Sequence, residues 1–385
     1  MPPAPSSPET CLGRRLRAAR EALGQSTRDV AMALLSNGLK VTHATISNYE
    51  RGTTVPSTEF LHAFSQLTKR SIEWLQGAGH ELAGVRYRCL KATREAEKRE
   101  YEGHALRWLE VYFHVEKLLR SPLRVQRQHS GFKVSVDESG ADVARRIRND
   151  MKLDKCPLPS TARVLEDFGV HVLSLATKSR IDGLAARAGS LRVVVLNPLV
   201  AADRMRLNAL HELAHHLFED CVEGGHLGSD EIEDRAFDFG VGMLIPDFML
   251  KEAMESKSIV RLVQFKERYG ISLAAMFYRA RQKNYINPST YRRVMIEFSK
   301  HGLRKQEPGE VLPDRPLRME YLIDKAVFTG VTTYDQLAGV SGLSSEEIGS
   351  RVYAARRAMT TANESDERDS FSFEAFRAEL ELGDQ

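Results

Sequence analysis

The stretch Ala209-Leu210-His211-Glu212-Leu213-Ala214-His215-His216 constrains this chain more than any other. Residues four apart share one face of an α-helix, so His211 and His215 can aim two imidazoles at one ion. That demands a helix here, and a fold that brings a third ligand to it. Glu212 then sits beside the coordination position left open, where it can take a proton from water and pass it to a leaving amine. The spacing implies peptide hydrolysis. With twelve histidines in 385 residues the pattern also arises by chance, so its surroundings decide.

Those surroundings agree. Residues 191–196 read as a buried strand ending at Asn197-Pro198, and a helical stretch begins at Asp203, which predicts a motif helix packed under a small sheet. Downstream, SDEIEDRAFDFGVGMLIP reads as a second helix ending at Pro246, with Glu233 eighteen residues past His215. It can deliver the third ligand, with Asp230, Glu231 and Asp234 as rivals. Two His and one carboxylate leave a place for water, as in a catalytic zinc site, although Mn2+ tolerates the same ligands. One Zn2+ ion is expected, and a degenerate or purely structural metal site is the alternative. His216 points off the motif face and reads as structural, and His226 lies in a Gly-rich loop.

A chain of 385 residues exceeds one ordinary domain. No apolar run is long enough to cross a bilayer, and residues 1–10, rich in Pro and Ser, lack the layout of a secretory signal. The expectation is a cytoplasmic protein without a membrane partner. Cys11, Cys89, Cys156 and Cys221 lack CxxC spacing and suit neither a disulfide framework nor a Cys-rich zinc finger. Cys89 follows a basic Arg-Tyr-Arg run, and a thiolate is a good fourth zinc ligand, so it is a candidate inhibitory plug; the plainer reading is a small buried side chain.

Charge divides the chain unevenly. Residues 11–130 are basic by +8 and residues 358–385 acidic by −6. A basic front suits phosphate contacts, though a solvated enzyme face looks similar. From Leu12 a helical pattern runs to Gly24, a second follows Ser26, and Thr42 caps a third, HATISNYERG. In this helix-turn-helix outline Ile46 and Tyr49 face inward. His43, Ala44, Thr45, Ser47 and Asn48 face base edges and backbone, and Arg51 reaches a phosphate. The alternative is a bundle kept for dimerisation or docking.

Through LRAAR, the helix from Ser26 to Ala31 and TISNYERG, this front end resembles the XRE family of phage-repressor-like domains, with a longer loop before the third helix. Through VVVLN, RMRLNALHELAHH and the run from Glu233 to Pro246, the centre resembles the ImmA/IrrE regulatory metallopeptidases. The resemblance implies Glu233 as third ligand. It departs from the family at Leu207-Asn208, Arg235 and Phe237, which leaves Asp238 or Asp234 to orient an imidazole. Family members cut helix-turn-helix repressors and so release stress, phage or defence operons; a CapP-like branch responds to single-stranded DNA.

The expected fold is α+β, mainly α with a small β-sheet. A helical helix-turn-helix bundle (11–76) follows a disordered 1–10; then come a helical linker (77–135), a zincin-like HExxH domain (136–287), a helical C-terminal region (288–357) and a disordered acidic tail (358–385). The expected function is a zinc endopeptidase that cleaves a helix-turn-helix repressor. Its expected partners are that repressor and DNA, either operator duplex or single-stranded, and a homodimer is compatible with this. The rival is a DNA-binding regulator or antitoxin whose metal domain senses without cutting.

Overall fold

The computed structural model describes residues 8–68, 70, 72–76, 80–89, 92–135, 137–218, 229–256, 258–303 and 306–358. The acidic tail, Cys221 and His226 fall outside them. The chain opens with α1 (Pro8–Ala22), α2 (Thr27–Ser36), α3 (His43–Glu50), α4 (Thr58–Thr68) and α5 (Ile72–Gln76). Residues 8–10 therefore belong to a helix, where a disordered terminus was expected. Local signals set these elements. Ser26 and Asp29 form a capping box at α2, Thr42 accepts from Thr45 N at α3, and Gly24 takes a left-handed φ of 65° after α1. Leu16, Val30, Leu34, Ile46, Phe60 and Phe64 make one apolar core, and Arg20 clasps Glu50 at 2.6 Å between α1 and α3.

The next stretch departs from expectation. Residues 77–135 contain a strand, β1 (Leu82–Cys89), before the long helix α6 (Glu95–Leu118). A short 3-10 turn, α7 (Gly140–Asp150) and α8 (Thr161–Asp167) follow, then β2 (Val170–Ser174), β3 (Ile181–Ala188) and β4 (Leu191–Leu196). The four strands form one sheet in the order β1-β3-β4-β2, with β2 and β4 parallel and the other pairs antiparallel. After it come α9 (Ala202–Leu217), α10 (Ser229–Leu244), α11 (Asp247–Glu255), α12 (Ile259–Tyr269), α13 (Leu273–Gln282), α14 (Pro288–Lys300), α15 (Arg318–Phe328) and α16 (Tyr334–Ser341), and residues 345–358 are helical as well. The architecture is helical with one small mixed sheet. No helix among the described residues is long and apolar enough to cross a membrane.

Alternation along the strands sends side chains to two layers. Val172, Ala185, Val194 and Leu196 join α7, α9, α10 and α13 in one core, whereas Leu173, Leu184, Val193 and Val195 join α6, α15 and α16 in a second. The helix expected to bridge two domains is thus a structural layer. Trp108, Val111 and Tyr112 are buried, while Leu118 is exposed at the helix end. The helical unit at 316–357 also serves packing: Leu322, Ile323, Leu337, Ile348 and Val352 complete that second core.

Two contacts make stability predictions. A Cβ on Gly140 would fall 2.5 Å from Phe239 N and closer still to the Arg235 carbonyl oxygen, so α7 and α10 meet backbone to backbone there. Gly140→Ala is expected to destabilise by about 1–3 kcal/mol, the usual range for overpacking, read as a lower Tm in a thermal melt; an unchanged Tm would mean that the helices can separate freely. Glu166 lies near the end of α8, where burial pushes its carboxyl up to about 7 and Oε1 has no hydrogen-bond partner among the described residues. The folded state then holds a proton that the unfolded chain releases, so this group costs stability as pH rises from about 4.5 to about 7. Glu166→Gln is expected to flatten that slope and to raise stability at pH 8 by about 1–3 kcal/mol; urea midpoints at pH 5 and pH 8 check it.

Candidate metal centre

The HExxH segment lies on α9, which is held under the sheet by apolar residues, among them Met205, Leu210 and Leu213. His216 Nε2 is 3.1 Å from the Val193 carbonyl oxygen and so ties the helix to β4. This matches a structural residue pointing off the motif face. Small residues let α10 approach: Ala236 is fully buried, and a Cβ on Gly240 would stand 2.9 Å from Leu207 Cδ1. One turn before Ala236 on α10, Glu233 reaches across to α9.

His211, His215 and Glu233 are therefore brought together. One ligand atom from each lies within 4.8 Å of the others, and they are the group of this kind found among the described residues. His211 Nε2 is 3.0 Å from Glu233 Oε2, and His215 Nε2 is 3.6 Å from Glu233 Oε1. Ligands about 2.0–2.1 Å from a tetrahedral ion stand about 3.3 Å apart, so the donor set and its spacing both fit a divalent metal. Burial pushes the His211 imidazolium down to about 4, which keeps the ring neutral and able to ligate. The neighbouring His211, by contrast, holds the half-exposed Glu233 carboxylate at the bottom of its usual range or below. Asp230, Glu231 and Asp234 are exposed and outside the group.

Glu212 is 2 % exposed beside these ligands. Burial pushes its carboxyl up to about 7, and Oε2 has no hydrogen-bond partner among the described residues. A divalent ion alongside would favour the ionised form, which is what a proton acceptor needs at neutral pH.

Asp238 does not orient an imidazole. It accepts from Ala141 N at 2.6 Å at the start of α7 and pairs with the buried Arg279, so its charge docks α7 and α13 on α10. Asp234 borders a shallow cleft with Arg235 and Arg279. Cys89 is likewise not brought to the ligands. Val85, Tyr87 and Cys89 pack on the α6 side of the sheet, because strand side chains alternate, while the metal group lies on the α9 side. The expected plug is corrected accordingly, and Cys89 takes its plainer role of a partly buried residue.

The same alternation brings in two residues that motif reading missed. Arg86 and Arg88 face the α9 side, and Arg86 Nη1 is 4.0 Å from Glu233 Oε1. Their signal was the Val-Arg-Tyr-Arg-Cys alternation of a strand. In the sequence Asn208 stands out only as a departure from the family pattern. It is fully buried one turn before His211 and Glu212, and neither amide atom has a hydrogen-bond partner among the described residues.

In the front bundle, Ile46 is buried and Tyr49 stacks obliquely on Phe60 at 4.8 Å. His43, Ala44 and Arg51 are exposed, whereas Thr45, Ser47 and Asn48 are half-buried. Arg51 Nη2 donates to Asn48 Oδ1 at 2.6 Å, and Thr45 Oγ1 bonds Thr42 Oγ1 at 2.8 Å. The exposed edge of α3, with His43, Ala44 and Arg51, thus faces away from the core of the front bundle.

Fold and site together define a metallopeptidase-type domain joined to a DNA-binding type of bundle. Residues 165–281 match the IrrE N-terminal-like domain of the M78 peptidases, and residues 12–73 match a helix-turn-helix domain. The chain thus carries one segment similar to each of these two domain families. No curated protein matches it. Strand β1 and helix α6 lie outside both matched segments.

Proposed function

We propose that this chain is a regulatory zinc endopeptidase that cleaves a helix-turn-helix repressor, and that DNA acting through its own helix-turn-helix bundle controls it. The observation that carries the reading is the convergence of His211, His215 and Glu233 beside a buried Glu212. Two imidazoles and a carboxylate are the donor set of hydrolytic zinc sites. Bound there, the ion would supply Lewis acidity toward a scissile carbonyl. Glu212 accepts a proton from the attacking water and donates it to the departing amine, and its burial keeps bulk water from competing. His216 holds the α9 helix in register while this happens.

DNA control rests on the helix-turn-helix match, the basic front of the chain and the exposed edge of α3 with Arg51. The test mixes purified wild type or Glu212→Gln protein with the repressor encoded beside its gene, with zinc, with and without single-stranded DNA. Cleavage by the wild type alone supports the reading, and its dependence on DNA identifies the control. No cleavage by zinc-loaded protein in any lane would instead favour a regulator that does not cut.

A further inference from the structure

We propose that Arg86 and Arg88 select the substrate: the site takes peptides carrying Asp or Glu side chains next to the scissile bond. This rests on the peptidase reading above. It starts from where the two arginines come from. Strand β1 is the sheet's edge and pairs antiparallel with β3, Arg86 opposite Ala185 and Arg88 opposite Gly183. Ala185 belongs to the core on the α9 side, and cross-strand partners share a face, so both arginines look toward the metal group while Tyr87 looks away. Arg86 lies 4.0 Å from Glu233, and Arg88 acts electrostatically on His211, Glu212 and Glu233. Both are half-buried.

Charge then decides. A divalent ion with ionised Glu212 and Glu233 carboxylates sums to zero, so within this group the two guanidinium groups add an excess of two positive charges. Because both arginines are half-buried, solvent and salt screen that excess less than they would on open surface. Arginines two apart on a strand stand about 6.6–6.8 Å apart, the same-face spacing of an extended peptide running beside them. A guanidinium also matches a carboxylate with two parallel hydrogen bonds. A solvated basic face would have no such alignment with a ligand group. The residues that set this preference lie outside the matched peptidase segment, on the strand that leaves the helix-turn-helix bundle.

The test reads binding and needs no cleavage. Full-length protein loaded with Co2+ is titrated with N-acetyl-glutamyl hydroxamate and N-acetyl-lysyl hydroxamate, following the visible bands of the ion, at low and high salt. The wild type is expected to bind the glutamyl compound about tenfold or more tightly, with the ratio shrinking at high salt. Arg86→Gln with Arg88→Gln is expected to bring the ratio near one, and Arg86→Glu with Arg88→Glu to invert it, with metal content retained. Equal binding by the wild type, or a ratio that survives both double variants, overturns this proposal alone. If neither compound perturbs the bands of any protein, the peptidase reading falls and this inference with it; the salt dependence of the wild type decides the matter even where a variant fails to fold.

Discussion

Glu212→Gln is expected to lower cleavage between about a hundredfold and ten-thousandfold, the range general acid–base catalysis contributes, while zinc remains bound at full occupancy. The change is nearly isosteric and leaves His211, His215 and Glu233 in place. It also removes a buried charge whose Oε2 has no partner among the described residues, so stability should hold or rise. That combination separates a chemical role from a structural one. Metal analysis, a thermal melt and a gel of the cleaved partner read all three quantities. Full activity would remove Glu212 from the chemistry, and loss of zinc together with activity would place it among the groups that build the site.

His215→Ala should have the larger effect on metal. Groups that only orient a ligand typically change affinity by about 10–100-fold, so loss of one of three ligands is expected to cost at least about a hundredfold. Competition against a chromophoric chelator measures it. Free zinc at a thousand times the dissociation constant stabilises a folded protein by about 4 kcal/mol, so the wild type should melt higher with zinc than with a chelator and the variant should melt alike in both. His216→Asn is the contrast. Its ring meets the Val193 carbonyl, 0 % exposed, and its removal should weaken the fold while zinc still binds. If the His216 variant loses zinc as completely as the His215 variant, the ligand assignment is wrong.

The two families of contact around the site were legible in the sequence to different degrees. A ligand pair on one helix is written in a four-residue spacing, so His211 and His215 needed no tertiary information. Glu233 could be reached because a second helix was evident and its acidic residues were few, but choosing it over Asp230, Glu231 and Asp234 depends on how α10 rolls on α9, which Ala236 and Gly240 govern. Asp238 illustrates the limit. The departures from the family pattern at Arg235 and Phe237 leave it to orient an imidazole, while Arg279, from forty-one residues on in the chain, claims it in the folded state.

The sequence by itself determined the helix-turn-helix bundle, the α9 helix with its ligand face, and the helices after Pro246, because caps, 3.6-residue periodicity and ligand spacing act within a few turns of chain. Strand β1 had a period-two pattern, yet eight residues beside a long charged helix could not say which sheet they would join. Only the tertiary structure decided that β1 closes the edge beside β3, that α6 is a core layer, and that Cys89 turns away from the ligands while Arg86 and Arg88 turn toward them. A strand's two faces are equivalent until a partner is chosen, and pairing partners separated by about a hundred residues are selected by the packing of the whole domain.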